Sequence, residues 1–190
     1  MKPERKLKQK AGRSGGSALR DYWFQFKPVA WFVGIFVLVL IVFYVFWLSK
    51  FADTRVQPAI ASLNASISAF LLNLFGQGTT ASGDIISSAV FSTSVRRGCD
   101  AVEAMALFTV AVLAFPARAK YKGYGVLAGI LILFFLNIIR IMSLFLTGVY
   151  YPSAFEFMHV EVWQILFIFF AIALFFIWLK RTNRSRTDAK

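Results

Sequence analysis

VAWFVGIFVLVLIVFYVFWL, residues 29–48, is the stretch whose reading decides the fold. It is an unbroken apolar run with no charged residue, and its length is what an α-helix needs to cross the hydrocarbon core of a bilayer. A small soluble domain has no surface to spare for covering such a helix, whereas lipid tails solvate Phe, Leu, Ile and Val directly. The residues before it begin MKPERKLKQK, and no small-residue cleavage site follows it. The run therefore reads as a retained signal-anchor helix and not as a removable signal peptide.

The rest of the chain points the same way. Its 190 residues suffice for one domain. They are 58% hydrophobic, include 22 Phe and are only 16% charged, which lies outside the range of soluble domains. In a soluble chain a net charge of +12 would point to nucleic acid. Here the positive residues flank apolar runs, so the expected partner is the lipid bilayer and no nucleic acid. Residues 101–115 (AVEAMALFTVAVLAF), stopped by Pro116, form a second span of about 23 Å, short enough that a start at Cys99 or Asp100 is expected. Residues 124–148 form a third, with Arg140 inside it, and residues 160–179 a fourth.

Residues 60–75 are weaker as a span. Ser62, Asn64, Ser66, Ser68 and Asn73 interrupt them, and Leu63, Ile67, Phe70, Leu71 and Leu74 fall on one side at helical spacing. That pattern suits an amphipathic helix at the interface or under the bundle, or a re-entrant one. The expected fold is an all-α integral membrane protein, a bundle of about four transmembrane helices plus this one amphipathic or re-entrant helix. Its expected parts are a basic cytoplasmic segment (1–28), a transmembrane domain (29–180) and a basic cytoplasmic tail (181–190). Residues 79–95, rich in Ser, Thr and β-branched side chains around Gly83-Asp84, read as a short hairpin.

Orientation follows from Lys and Arg. Eight lie in the segment ending at Lys27, five lie in the tail from Lys180, and Arg118, Lys120 and Lys122 occupy the turn after Pro116. The long segment between the first two spans holds only four, and the loop near Tyr150 none. The basic segments, including both termini, are thus expected inside, and the other two loops outside. Counting at 1.5 Å per residue from the inner end of each helix, Cys99 stands at about 25 Å, Arg140 at about 24 Å and His159 at about 31 Å. These are the only cysteine, the only Lys or Arg within a span and the only histidine, brought to one outer depth from three helices.

Each has a plainer reading. Cys99 by itself is a small apolar filler, Arg140 a structural partner of Glu103, Asp100 or Glu161, and His159 a satisfied interfacial residue. Against this, Arg96-Arg97-Gly98 precede Cys99 where a helix begins, and cations and a helix N-terminus both favour thiolate. An intramembrane Arg is costly and points to function or pairing. Glu156, three positions before His159, lies near enough to orient its ring if that turn is helical. Together the three fit acyl chemistry by a thiol. Cys99 attacks a carbonyl, His159 moves the proton, and Arg140 stabilises an oxyanion or holds a substrate carboxylate or carbonyl. A lone Cys cannot form an intramolecular disulfide, and one His without a second Cys cannot complete a zinc site, so no cofactor or metal is expected.

The residues RRGCDAVEAMALFTVAVLAFP, then FFLNIIRIMSLF, then FEFMHVEVWQILFIFF resemble the exosortase/archaeosortase family over about residues 80–180. The short length and the Cys-Asp-x-x-Glu-Ala-Met run are most similar to the exosortase H subtype. The resemblance implies a membrane-embedded cysteine protease or transpeptidase in a bacterial inner membrane, with its active site on the outer, periplasmic side. Its substrates would be exported, membrane-anchored proteins ending in a sorting signal: a recognition motif, one transmembrane helix and a basic tail. The new C-terminus would pass to an unidentified acceptor nucleophile. The family's Cys, Arg and His fall on Cys99, Arg140 and His159. Family members usually carry a small residue after the Cys, where this chain has Asp100, and an adjacent carboxylate raises a thiol pKa.

Asn137, one turn before Arg140, is expected to hydrogen-bond that Arg or the substrate backbone, or else to act as helix–helix glue. Glu103, one turn below Cys99, is a candidate anchor for Arg140 or His159. Trp163 and Tyr150-Tyr151 read as interface anchors. Three rival readings remain: a non-catalytic scaffold or assembly factor, a transporter subunit (which lacks support from any internal repeat or broken-helix pair), and an acyltransferase acting on a lipid thioester.

Overall fold

The computed structural model describes residues 4–187, with side chains described over 26–183. Most of the expected segment 1–28 and tail 181–190 lies outside the described side chains. Six α-helices and one small sheet follow in chain order among the described residues. Helix α1, Glu4–Trp47, carries the apolar run and continues through Pro28. A π-helical turn, Ala52–Val56, leads into α2, Gln57–Leu74, which has Pro58 in its first turn, where a missing N–H costs nothing. The end of α2 is closed by Gly76 at φ 73°. Its N–H bonds Asn73 O, and Gln77 N–H bonds Leu72 O, the paired bonds of a Schellman motif.

Thr79 is clamped onto this helix end by the Asn73 amide and by its own hydroxyl, which donates to Ala69 O at 3.0 Å. It anchors β1, Thr80–Ser82, which pairs antiparallel with β2, Ile85–Ser87, across Gly83-Asp84. The expected hairpin is present, and β3, Ser92–Ser94, extends it on the far side of β2. Ile86, fully buried, ties the sheet to Ala61, Ala65, Ile141 and Phe145.

Helix α3, Val102–Ala114, packs against α1, α4 and α6. It ends at Phe115, held extended ahead of Pro116, and Lys122 Nζ donates back to Leu113 O at 2.6 Å. Helix α4, Ala119–Tyr150, is smooth where it meets aromatic rings: Gly125 faces Trp178, Gly129 faces Phe108 and Gly148 faces Phe91, each with no room for a Cβ. The chain then turns through Pro152–Ala154, the short α5 (Phe155–Phe157) and a π-helical turn (Met158–Val162) into α6, Trp163–Thr187. A second core joins Phe108, Val112, Leu133, Leu144, Phe167 and Trp178 across α3, α4 and α6.

Among the described residues three helical stretches are long and apolar enough to cross a membrane: Phe26–Trp47, Ala119–Tyr150 and Pro152–Asn183. The architecture is the expected all-α membrane bundle. The apolar α3 is shorter than expected, because the chain before Val102 is not helical: Ala101 sits at φ 60°, in the left-handed region. Its 13 residues rise only about 20 Å.

One expectation is met and one corrected here. Helix α2 is amphipathic as expected: Leu63, Phe70 and Leu74 face outward, while Ala61, Asn64, Ala65, Ser68, Ala69 and Leu72 are buried against the protein. Small side chains let helix backbones approach, and in lipid the large apolar ones need no protein cover. Trp163 is not an interface anchor but is buried in the core, 6.3 Å from the Phe167 ring. Tyr150 and Tyr151 are exposed as expected.

Candidate active site

The segment between β3 and α3 is built to present one side chain. Cys99 N–H bonds Arg96 O at 2.8 Å, closing a tight turn in which Gly98 takes φ 87°, a value open to Gly without a Cβ penalty. Asp100 is buried, and its Oδ1 accepts the Val102 N–H at 3.2 Å, satisfying one free donor at the start of α3. Ala101, left-handed without being Gly, holds a conformation that costs about 1–2 kcal/mol. Such strain persists only where its surroundings over-determine it. The result leaves Cys99 half-buried between the two helix–helix cores.

His159 reaches it from the other end of the chain. Its Nε2 lies 2.8 Å from Cys99 Sγ. It stands in the π-helical turn Met158–Val162, and such turns insert a residue and re-aim a helix face. The Phe155 ring, one turn earlier, stacks on the imidazole at 5.8 Å and 25°. Glu156 is exposed and makes no hydrogen bond to His159, so the ring is oriented by the Phe and not by the expected carboxylate.

Arg140 enters from α4, buried at 6% exposure. Its Nη1 donates to Gly98 O at 3.2 Å, its Nη2 lies 3.8 Å from Cys99 Sγ, and its guanidinium carbon sits 5.4 Å from the Phe167 ring centre. Its Nε has no partner among the described residues. Among the same residues no carboxylate comes within ion-pair distance of it; the one ion pair found joins Arg97 to Asp53 at 3.0 Å. The expected anchor role of Glu103 is thus not made in this arrangement. A buried cation held by a carbonyl, a ring and a thiol, with the Asp100 carboxylate near enough to act on it but outside ion-pair distance, keeps charge available beside the sulfur.

Asn137 also points elsewhere: its amide donates to Asn64 Oδ1 on α2 at 3.1 Å, in a fully buried pair. This is the helix–helix glue of the two expectations. The cations expected to acidify Cys99 turn away from it. Arg96 bonds the Ser94 hydroxyl, and Arg97 bonds Asp53 and covers Trp47. Burial therefore pushes the Cys99 thiol up, Arg140 pulls it part of the way back, and Asp100 pushes it up again. These influences together favour the neutral thiol over the thiolate.

Among the described residues no three His, Cys, Asp or Glu side chains converge as a metal site. Sequence reasoning missed Phe155, Phe167 and the strained Ala101. Phe155 sits one turn before His159, and that spacing is the one signal that offered it. Compared with known families, residues 22–179 match the model described as Transmembrane exosortase (Exosortase_EpsH). No curated protein and no solved structure matches the chain. A match running from within α1 to near the end of α6 takes in every helix that carries the Cys–His–Arg cluster, and the chain belongs to the transmembrane exosortase family.

Proposed function

We propose that this protein is a membrane-embedded cysteine transpeptidase or protease. In this reading it cleaves the C-terminal sorting signal of exported proteins at the outer face of a bacterial inner membrane, with both its termini in the cytoplasm. The observation that carries the reading is the 2.8 Å contact of Cys99 Sγ with His159 Nε2, beside a buried Arg140 that has no carboxylate partner among the described residues. A half-buried thiol from the turn before α3, an imidazole from the π-helical turn before α6 and an α4 guanidinium without an ion-pair partner among the described residues are the groups that acyl transfer needs.

The steps follow from the groups. Cys99 Sγ attacks the scissile carbonyl carbon as its proton passes to His159 Nε2. The carbonyl π electrons move onto oxygen, and the developing oxyanion is stabilised by the Arg140 guanidinium. The intermediate collapses: the C–N bond breaks, His159 returns the proton to the leaving nitrogen, and a thioester remains on Cys99. An acceptor amine or water then attacks the thioester carbonyl as His159 takes its proton; the C–S bond breaks and His159 passes that proton to the sulfur, freeing the thiol. A raised thiol pKa favours this concerted use of the base over a preformed thiolate.

The test is processing of a tagged, co-encoded exported protein ending in an apolar helix and a basic tail. Cells would carry wild-type, Cys99→Ala or Cys99→Ser enzyme at matched membrane levels. Loss of processing in both variants supports the reading. Processing that survives Cys99→Ala overturns it and leaves a non-catalytic scaffold. A product that contains a lipid acyl group and no cleaved peptide would instead indicate the acyltransferase.

A further inference from the structure

A groove of about 640 Å³ opens to the outside of the bundle between α1, α3 and α6. Its walls are apolar: Phe36 on α1, Leu107 and Ala111 on α3, Ala171, Ile172 and Phe175 on α6. From Gln164 to Phe176 it follows α6 for about 18 Å. One end is polar, formed by Gly98, Asp100, Glu103 and Arg140, the immediate neighbours of Cys99. Asp100 is 1% exposed; its Oδ1 serves the Val102 N–H, and its Oδ2 is buried with no partner among the described residues.

Resting on the function proposed above, we infer that this groove seats the transmembrane helix of the substrate. The free Asp100 Oδ2 accepts an N–H from that helix's first turn. Three features fit this occupant. The groove runs without a break from its apolar walls to the residues flanking the nucleophile. Ala104, Ala111 and Ala171 along it are small enough for another helix backbone to come close. The third is polarity. A helix whose N-terminus lies on the Cys99 side arrives with unpaired N–H groups and the positive end of its dipole. In a bilayer those donors need a protein acceptor, and a buried unpaired carboxylate oxygen is one. A lipid acyl chain would fill the apolar walls but bring no donor to Asp100.

The experiment uses the full chain in membranes and the tagged, co-encoded exported protein ending in an apolar helix and a basic tail. In a Cys99→Ala background, a photo-crosslinking residue is placed at Leu107 or Ile168 in the groove, and at Leu131 or Ile139 on the exposed face of α4. Crosslinks to the substrate's helix from the first two positions and not from the last two are expected. Equal crosslinking from α4, or crosslinks to lipid alone, overturns the inference. Ala171→Trp, which fills the groove, should lower processing at least tenfold, while Cys99 is still alkylated by a small maleimide as a check on folding. Asp100→Asn keeps an oxygen for Val102 but turns a donor toward the incoming helix. It should raise KM several-fold across the pH range, whereas a role confined to the neighbouring Cys99 thiol would move only the pH profile of kcat; an unchanged KM overturns the role of Asp100. Processing lost with Cys99→Ala but intact with Ala171→Trp overturns the groove alone. Processing that survives Cys99→Ala overturns the catalytic reading and this inference with it.

Discussion

Cys99 Sγ and His159 Nε2 lie 2.8 Å apart although 60 residues separate them in the chain. The contact joins the turn before α3 to the π-helical turn before α6, so it is made only when both helices are in place. His159→Ala should leave the fold intact and lower processing by about 10²–10⁴-fold, the usual worth of a positioned general base. Processing of the tagged substrate at matched membrane levels measures it; a loss under tenfold would remove His159 from the proton transfer.

Arg140 should tolerate no conservative exchange. Lys offers one compact charge and cannot both bond Gly98 O and reach the sulfur from a planar fork. Arg140→Lys is expected to lose about 10²–10³-fold in kcat, the range for removing an oxyanion-type donor. Arg140→Gln should lose as much or more. Steady-state kinetics on a purified substrate separates this from a binding defect, which would appear in KM.

The Cys99 thiol is held above the ordinary thiol range by burial first, with Arg140 lowering it and Asp100 raising it. Below that raised pKa the group is neutral, and thiolate accumulates only as pH rises through it. Alkylation by iodoacetamide against pH should therefore show a midpoint above that of a free thiol. Asp100→Asn should move it down and Arg140→Gln further up. A wild-type midpoint below that of a free thiol would mean that a standing thiolate–imidazolium pair replaces the concerted step.

The Asn64–Asn137 pair predicts a non-additive cycle. Asn64→Leu leaves the Asn137 amide buried without its partner, and Asn137→Leu orphans the Asn64 Oδ1 while its Nδ2 still donates to Ile60 O; each costs about 0.5–2 kcal/mol. The double change removes both polar groups and should recover most of that loss. Thermal unfolding in detergent reads all four variants; additive losses would mean that the amides act independently.

Gly129 is predicted to be intolerant of any side chain, because the Phe108 ring occupies the place of its Cβ. Gly129→Val should destabilise the α3–α4 contact by about 1–3 kcal/mol. A paired Phe108→Ala should relieve the overlap, and the same thermal measurement checks both.

Residues 29–48 can be read in isolation, because solvent preference is a local property: an uninterrupted apolar run needs lipid wherever its neighbours fall. The same one-dimensional reasoning singled out Cys99, Arg140 and His159 through an expected common height, although its count took residues 99–101 as helix and α3 begins only at Val102. Rotation about each helix axis has no such signal in a bundle solvated by lipid. The large apolar residues of α2 therefore left open whether that side meets lipid or protein, and the structure packs the helix through Ala61, Ala65 and Ala69. Asn137 was open to Arg140, the substrate or another helix, and the structure pairs it with Asn64, 73 residues away.

The partners that tune the site are also tertiary: Phe155 under the imidazole, Phe167 beneath the guanidinium, and Asp53 drawing Arg97 away from the sulfur. The order of residues along the chain was enough to establish a membrane bundle and to single out Cys99, Arg140 and His159. Packing alone set their contacts, kept carboxylates beyond ion-pair distance of Arg140 among the described residues and pushed the Cys99 thiol up, because burial and orientation belong to no residue until its neighbours surround it.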